Sequence, residues 1–392
     1  MNRLFTSESV TEGHPDKVCD TIADAVLDAV LTKNPLAHSA CEVCATTDFV
    51  LLMGEVSGAT LSYDEIESLV RNTVGEIGYT KETEGFCNKT LSITNLIHSQ
   101  SADIAQGVNN AIEHKMGGDD YDKVGAGDQG MMYGYACRET DCLMPLPITL
   151  AHALTKRLTE VRKAGILSYL RPDGKAQVTV EYYHAKPTRV HTVVVSTQHT
   201  DDVSQEKIRE DVIREVIKVA IPENLLDENT RILVNPTGRF VIGGPDGDSG
   251  LTGRKIIVDT YGGYCPHGGG AFSGKDSTKV DRSGAYFARY VCKNVVASGL
   301  ADNCQLELSY AIGKAQPISV RVDSFGTSRD DDGKLLDAIL KTFDFRPAAI
   351  IDKLGLTNPI FKKTTNYGHF GKEGLPWEKC DMVEKLLSNY GE

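Results

Sequence analysis

The stretch "PDKVCDTIADAVLDAVL", Pro15 to Leu31, decides how the chain is read. Val18, Ile22, Val26 and Val30 recur at four-residue steps, which is one apolar face of a helix. Two strand-like runs follow, "SACEVCAT" (39–46) and "FVLLMGEVSG" (49–58). A second helical run, "LSYDEIESLVRNTVGEIG" (61–78), closes the series.

The same order returns twice. The second copy runs from the helical "PITLAHALTKRLTEVRKAG" (147–165) through the β-branched "AQVTVEYY" (176–183) and "RVHTVVVST" (189–197), joined by "HAKPT", to "SQEKIREDVIREVIKVAI" (204–221). The third runs from "TKVDRSGAYFARYVCKNVVASG" (278–299) through "NCQLELSYAIG" (303–313) and "PISVRVDSFG" (317–326) to "DDGKLLDAILKTF" (331–343). The opening helices start roughly 130 residues apart, too long a period for a solenoid. The expected fold class is α/β (α+β): three pseudo-repeated α/β subdomains about a pseudo-threefold axis, each a mixed sheet covered by helices on one face. The expected boundaries are 1–100 for an N-terminal domain, 119–234 for a central domain and 235–392 for a C-terminal domain. Residues 101–118 fall between them, inside a polar Gly- and Asp-rich segment (98–130) that reads as a mobile lid. The uncovered sheet faces need a partner, so a homo-oligomer is expected.

Composition narrows the function classes. The chain has 392 residues, 41% hydrophobic and 24% charged, which fits several globular cores. It has no run of 18 apolar residues and no apolar leader after Met1, so neither a membrane span nor a secretory signal is expected. A net charge of −12 without a basic stripe argues against nucleic-acid binding. Ten scattered cysteines read as reduced thiols of a cytoplasmic protein, and "CEVC" (41–44) lacks the second pair that a zinc site needs.

One zone stands apart. Residues 235–284, "NPTGRFVIGGPDGDSGLTGRKIIVDTYGGYCPHGGGAFSGKDSTKVDRSG", interleave glycines with Arg254, Lys255, Lys275, Lys279 and Arg282. Glycine lets backbone amides approach an anion closely, and the cations add charge, so polyphosphate binding is expected here. "GGAFSGKD" (269–276) matches a P-loop up to Lys275 but places Asp276 where a Mg²⁺-binding hydroxyl belongs. The helix after it is expected from about Ser277 or Thr278. Asp16 and Asp281 lie at helix starts, where a carboxylate either complements the helix dipole or ligates Mg²⁺ beside phosphate. Position alone leaves both open. Glu42 and Glu55 in strands, Asp128 and Asp248 in glycine turns, and Asp173 with Lys175 in "RPDGKA" each have an ordinary structural reading when taken singly.

Taken together, the motifs resemble the S-adenosylmethionine synthetase family over nearly the whole chain. The resemblance rests on "SESVTEGHPDKVCDTIADAVLD", "GAGDQGMMYGYAC", "NPTGRFVIGGPDGDSGLTGRKIIVDTYGG", "HGGGAFSGKDSTKVDRS", "ARYVCKNVVASGLADNCQLELSYAIG", "YGHFG" and "PWEKCD". It implies three pseudo-repeated domains and the conversion of ATP, L-methionine and water to S-adenosylmethionine, phosphate and diphosphate. The sulfur would attack C5′ in line, and the tripolyphosphate would then be hydrolysed. It implies that His14, Lys175, Arg254 and Lys275 serve the transfer, and that ATP is held by these together with Asp173, Gly174, Arg239, Phe240, Asp248, Lys255 and Ala271. Methionine would meet Glu55, Gln100, Asp128, Asp248 and Lys279. Two Mg²⁺ per site would use Asp16 and Asp281, and K⁺ would use Glu42. The segment after Gln100 corresponds to a gating loop. The family's sites lie between the subunits of a homodimer, often within a homotetramer. A catalytically silent nucleotide-binding scaffold and a P-loop phosphotransferase are the competing readings, and the intact His14, metal carboxylates and lysines oppose the first.

Overall fold

The computed structural model describes residues 2–99 and 117–391. Each third of the chain opens with a leading strand and then runs helix, hairpin, helix. The first contains β1 (Asn2–Val10), α1 (Pro15–Lys33), β2 (His38–Thr46), β3 (Phe49–Ser57), α2 (Tyr63–Ile77) and β4 (Ser92–His98). The second contains β5 (Gly130–Cys137), α3 (Leu146–Lys163), β6 (Leu170–Tyr183), β7 (Lys186–His199), α4 (Gln205–Val212) and β8 (Arg231–Val234). The third contains β9 (Gly250–Leu251), α5 (Val280–Ser298), β10 (Asn303–Tyr310), β11 (Ser319–Asp323) and α6 (Asp332–Thr342). Two further helices, α7 (Pro347–Leu354) and α8 (Val383–Gly391), pack against α5.

Local chemistry sets the element ends. Pro15 begins α1, where a missing N–H costs nothing, and the His14 side chain caps it. Ser62 and Glu65 form a capping box on α2, which stops at Gly78 in the left-handed region. The hairpin strands alternate: Ser39, Cys41, Val43 and Ala45 of β2 are buried, while the residues between them are not. Their buried face packs under α1 and α2, and the central and C-terminal thirds build corresponding cores under their own helices.

The three sheets have the expected fold class, and their pairing adds something the repeat did not reveal. Their strand orders are β9-β2-β3-β4, β1-β6-β7-β8 and β5-β10-β11. Each leading strand leaves its own third and pairs antiparallel with the hairpin of another. β1 joins β6 (Phe5 opposite Val180), β5 joins β10 (Gly134 opposite Leu306), and β9 joins β2 (Gly250 opposite Ala45). The exchange is cyclic, first to second to third to first. β4 and β8 add parallel to β3 and β7. The third sheet has no equivalent strand among the described residues and is wholly antiparallel.

A second tie crosses the thirds. Asp16, Asp20, Asp24 and Asp28 lie at four-residue steps on one face of α1. Each carboxylate accepts backbone amides from the C-terminal third: Leu251 (3.0 Å), Gly253 (2.9 Å), Gly274 (2.9 Å), and Phe361 with Lys362 (both 2.9 Å). Asp24 is fully buried and also takes a two-pronged ion pair from Arg282 of α5, at 2.7 and 2.9 Å. Burial works to raise the Asp24 pKa, and Arg282 more than reverses it. Lys17, equally buried, pairs with Asp259 and donates to the Thr365 carbonyl at 2.8 Å.

Removing one partner of such a pair strands the other charge in the interior. Asp24→Asn is expected to lower unfolding stability by about 3–5 kcal/mol in urea titrations. Asp28→Asn, at the half-buried end of the row, is expected to cost clearly less. Equal losses at both positions would show that the buried pair is not what holds α1 to α5.

Candidate active site

The row of carboxylates on α1 points the glycine zone toward the helix N-terminus, and one group of polar side chains gathers there. Asp16 Oδ2 accepts from Lys255 Nζ at 2.6 Å, and Arg254 Nε stands 3.8 Å from Oδ1. His14, 5% exposed, accepts the Asp16 amide on Nδ1 at 3.2 Å. Burial, then Lys255 and Lys175, push its pKa down to about 3, so the ring is neutral near pH 7. Lys175 lies on the exposed face of β6, opposite Val10 of β1. The turn that carries His14 packs on the strand that carries Lys175: the Thr11 amide donates to the Gly174 carbonyl at 2.9 Å.

Asp173 completes this group. It is buried, its Oδ2 accepts the Gly244 amide at 2.9 Å, and its Oδ1 has no hydrogen-bond partner. Burial pushes its pKa up to about 6, and Asp248 adds to the rise. Gly174 lies against the Ser196 carbonyl and Thr11, where a Cβ would crowd both.

A second group forms on the other side of the glycine zone. Lys275 Nζ donates to Asp281 Oδ2 at 2.7 Å, at the start of α5. Gly270 closes over Asp281, since a Cβ there would come within 2.3 Å of the carboxylate carbon. Lys275 also bridges to Ala40 of β2, which brings it beside Glu42. Glu42, Met53 and Leu96 stand in register across the open face of their sheet, and Glu55 and His98 sit one pleat away, 3.8 Å apart.

The P-loop near-match resolves differently from a P-loop. α5 begins at Val280, later than expected, with Lys279 as its cap residue. Asp276 is buried and accepts from the Ser39 amide (2.8 Å), the Thr278 amide (2.9 Å) and Lys279 Nζ (2.5 Å); His38 and then Lys279 hold its pKa well below the usual range against its burial. It is an anchor for Lys279 and for strand β2, a role its place after Gly-Lys did not reveal.

Other expected residues stand apart. Arg239 pairs with Asp201 at 2.9 Å on the surface, and the Phe240 amide donates to His199 at 3.0 Å. Ala271 abuts Gly253. Asp128 is exposed and accepts the amide of Gln129 at 2.7 Å. Gln100 and most of the expected gating loop lie outside the described residues. His267 was not singled out from the sequence. Its Nδ1 accepts the Gly269 amide at 2.8 Å and fixes the loop over Asp281, and only its place directly before three glycines marks it in the sequence.

Three consecutive stretches match the S-adenosylmethionine synthetase N-terminal domain (residues 2–102), central domain (123–240) and C-terminal domain (242–379). The chain belongs to the S-adenosylmethionine synthetase family. It is 58% identical over 389 residues to the S-adenosylmethionine synthase of Clostridium botulinum (strain Alaska E43 / Type E3), covering 98% of this chain and 99% of the relative. It is 56% identical over 388 residues to that of Finegoldia magna, covering 98% of each. The chain is therefore a transferase that makes S-adenosylmethionine from ATP and methionine.

The buried Asp173 supplies a pH test. Its folded pKa lies above the unfolded value, so the folded chain holds the extra proton. Its contribution favours the fold below about pH 4 and is lost as pH rises through about 6. Asp173→Asn is expected to flatten the stability slope between pH 4 and 6 and to raise stability at pH 7, read from urea midpoints at several pH values. An unchanged slope would mean that the carboxyl is already ionised at pH 4.

Proposed function

We propose that the two groups around the glycine zone are the two walls of the site for ATP and methionine, with the roles the family resemblance implies. The observation that carries this is the pairing of cations with acids on both walls, Lys255 with Asp16 and Lys275 with Asp281. A thioether has no proton to lose, so transfer needs no base. What it needs is a fixed line of approach and stabilisation of a triphosphate that gains charge as it leaves. Lys175, Arg254, Lys255 and Lys275 supply positive charge without a nucleophile. Neutral His14, at the positive end of α1, would meet the departing oxygen as a hydrogen-bond partner. Asp173, with its unpartnered Oδ1, and Gly174, Arg239, Phe240, Asp248 and Ala271 would hold the nucleotide. Glu55, Gln100, Asp128, Asp248 and Lys279 would hold methionine. The segment after Gln100 would act as the gating loop.

Asp16 and Asp281 would each hold a Mg²⁺. The donor set fits, because Mg²⁺ takes one or two carboxylates and fills its sphere with phosphate oxygens and water. Mg²⁺ would neutralise triphosphate charge. With those carboxylates given to the metal, Lys255 and Lys275 would be available to the phosphates. Glu42, beside Lys275, would hold K⁺.

We also read the working unit as a homodimer, two of which form a homotetramer. Each metal carboxylate pairs within its own group, and the open sheet faces carry exposed Met53, Leu96, Leu4 and Met131. Ten free thiols, most of them buried, suit the cytoplasm. No helix among the described residues is long and apolar enough to cross a membrane.

In an assay with ATP, methionine, Mg²⁺ and K⁺, Asp16→Asn and Asp281→Asn are each expected to lower turnover on the order of a hundredfold or more while the thermal midpoint moves little. Near-normal turnover in both variants would remove the metal assignment. Omitting K⁺ is expected to slow the wild type but to change Glu42→Gln little.

A further inference from the structure

Tyr79 lies just past α2, 1% exposed, in a part of the chain that no motif singled out. Its hydroxyl donates to the Gly13 carbonyl at 2.5 Å, one residue before His14. Burial, with Asp173 second, pushes the phenol well above its usual pKa, so it stays a donor. The same hydroxyl lies against Gly244, where an added Cβ would come within 2.1 Å of it. Gly244 is the residue whose amide holds Asp173 Oδ2. Gly13 in turn leaves no room over Pro172, the residue before Asp173, with 2.4 Å to an added Cβ. One phenol thus touches both the turn carrying His14 and the loop that fixes Asp173. Those segments come from different thirds of the chain.

The turn is gripped from a second side. Glu12 accepts from Arg162 Nη2 at 2.9 Å and from Lys163 at 2.6 Å, and Arg162 also donates to the Ile77 carbonyl at 2.7 Å, two residues before Tyr79. Gly78 gives that guanidinium room, since a Cβ there would come within 2.3 Å of Nη1. α2, α3 and the His14 turn are therefore locked together behind the pocket, with Tyr79 as the innermost contact.

We propose that Tyr79 is a positioning residue for the transfer. It acts through the Gly13 carbonyl to set His14 against the departing triphosphate oxygen, and through Gly244 to set the distance from His14 to Asp173. This rests on the role given to His14 above. The phenol is buried with its hydroxyl on the Gly13 carbonyl, so its effect is on where the imidazole stands in the transition state.

The test is a double-mutant cycle with Tyr79→Phe and His14→Asn, each measured for kcat, both KM values and thermal midpoint. Phe keeps the ring packed edge-on against Phe86 (5.4 Å between centroids) and removes only the hydroxyl. Tyr79→Phe is expected to lower kcat about tenfold with KM for methionine within about twofold, because misplacement acts on the chemical step. In the His14→Asn background the same change is expected to cost nothing further. Glu12→Gln, which loosens the turn from its outer side, is expected to give a smaller loss with the same split, and it serves if Tyr79→Phe proves unstable. Wild-type kcat in Tyr79→Phe, or a full tenfold loss persisting without His14, would overturn the inference. If His14→Asn itself keeps wild-type kcat, the role of His14 fails and Tyr79 with it. An impaired His14→Asn beside a normal Tyr79→Phe sinks Tyr79 alone.

Discussion

The structure depends on a buried polar seam: four carboxylates on one face of α1 hold the backbone of the C-terminal third. Asp20 and Asp24 are fully buried. Taking a carboxylate out of water costs several kcal/mol unless it is paired, so neither side of the seam is stable alone. The glycine-rich loops have little regular structure of their own, and the amides of Leu251, Gly253 and Gly274 are aimed by what they donate to. Lys255 lies two residues from one of those amides and Lys275 follows another directly. The cations are placed because the loops are tied, and the loops are tied because α1 repeats an acid at every turn. Asp16 differs from the other rungs: at the end of the row it meets lysine and arginine side chains that remain partly open to solvent.

The cyclic strand exchange explains why this seam holds its alignment. A third that folded alone would lack an edge strand: β6 would lose β1, β10 would lose β5, and β2 would lose β9. Each exchange also carries a chain segment directly toward the site. β1 runs into the turn of His14, and β9 runs into Arg254 and Lys255. β5 begins at Gly130, which packs against Asp281. The leading strands therefore tie the thirds together and bring chain segments to the two groups, β1 and β9 to that of Asp16 and β5 to that of Asp281.

Much of this was legible in the sequence, within limits set by the range of the interactions. Pro15 and the four-residue valine steps fix α1 because helix signals are local. The three copies were visible because each hairpin alternates on its own. The partners of β1, β5 and β9 were not, since pairing across more than a hundred residues leaves no local mark, and β9 is only two residues long. The acid row on α1 was in plain view at the spacing of the valines. Charged residues opposite an apolar stripe ordinarily face water, and only the glycine loops packed over them reverse that reading. Asp276 resembled a failed phosphate loop for the same reason: what defines it is a strand amide from Ser39, distant in sequence. Tyr79 carried no signal, because a buried aromatic after a helix is usually core and the one feature that sets it apart is the target of its hydroxyl.

The charge pattern and the chemistry set each other's limits. A pocket that concentrates lysine and arginine, as the one proposed for the triphosphate does, also works against a proton on any imidazole within it. His14 is neutral first because it is buried and then because Lys255 and Lys175 stand beside it, so screening those charges would remove only part of the shift. For a reaction that required proton transfer from an imidazolium, this would be a defect. For sulfur attack on carbon it costs nothing, because neither the nucleophile nor the leaving triphosphate exchanges a proton in the displacement. What remains useful in a neutral ring is one oriented N–H and its position. In this fold the position is set by backbone contacts: the Asp16 amide on Nδ1 and the Gly13 carbonyl held from behind. With the role proposed for it, His14 would be disturbed less by changes of charge around it than by shifts in the turn that carries it.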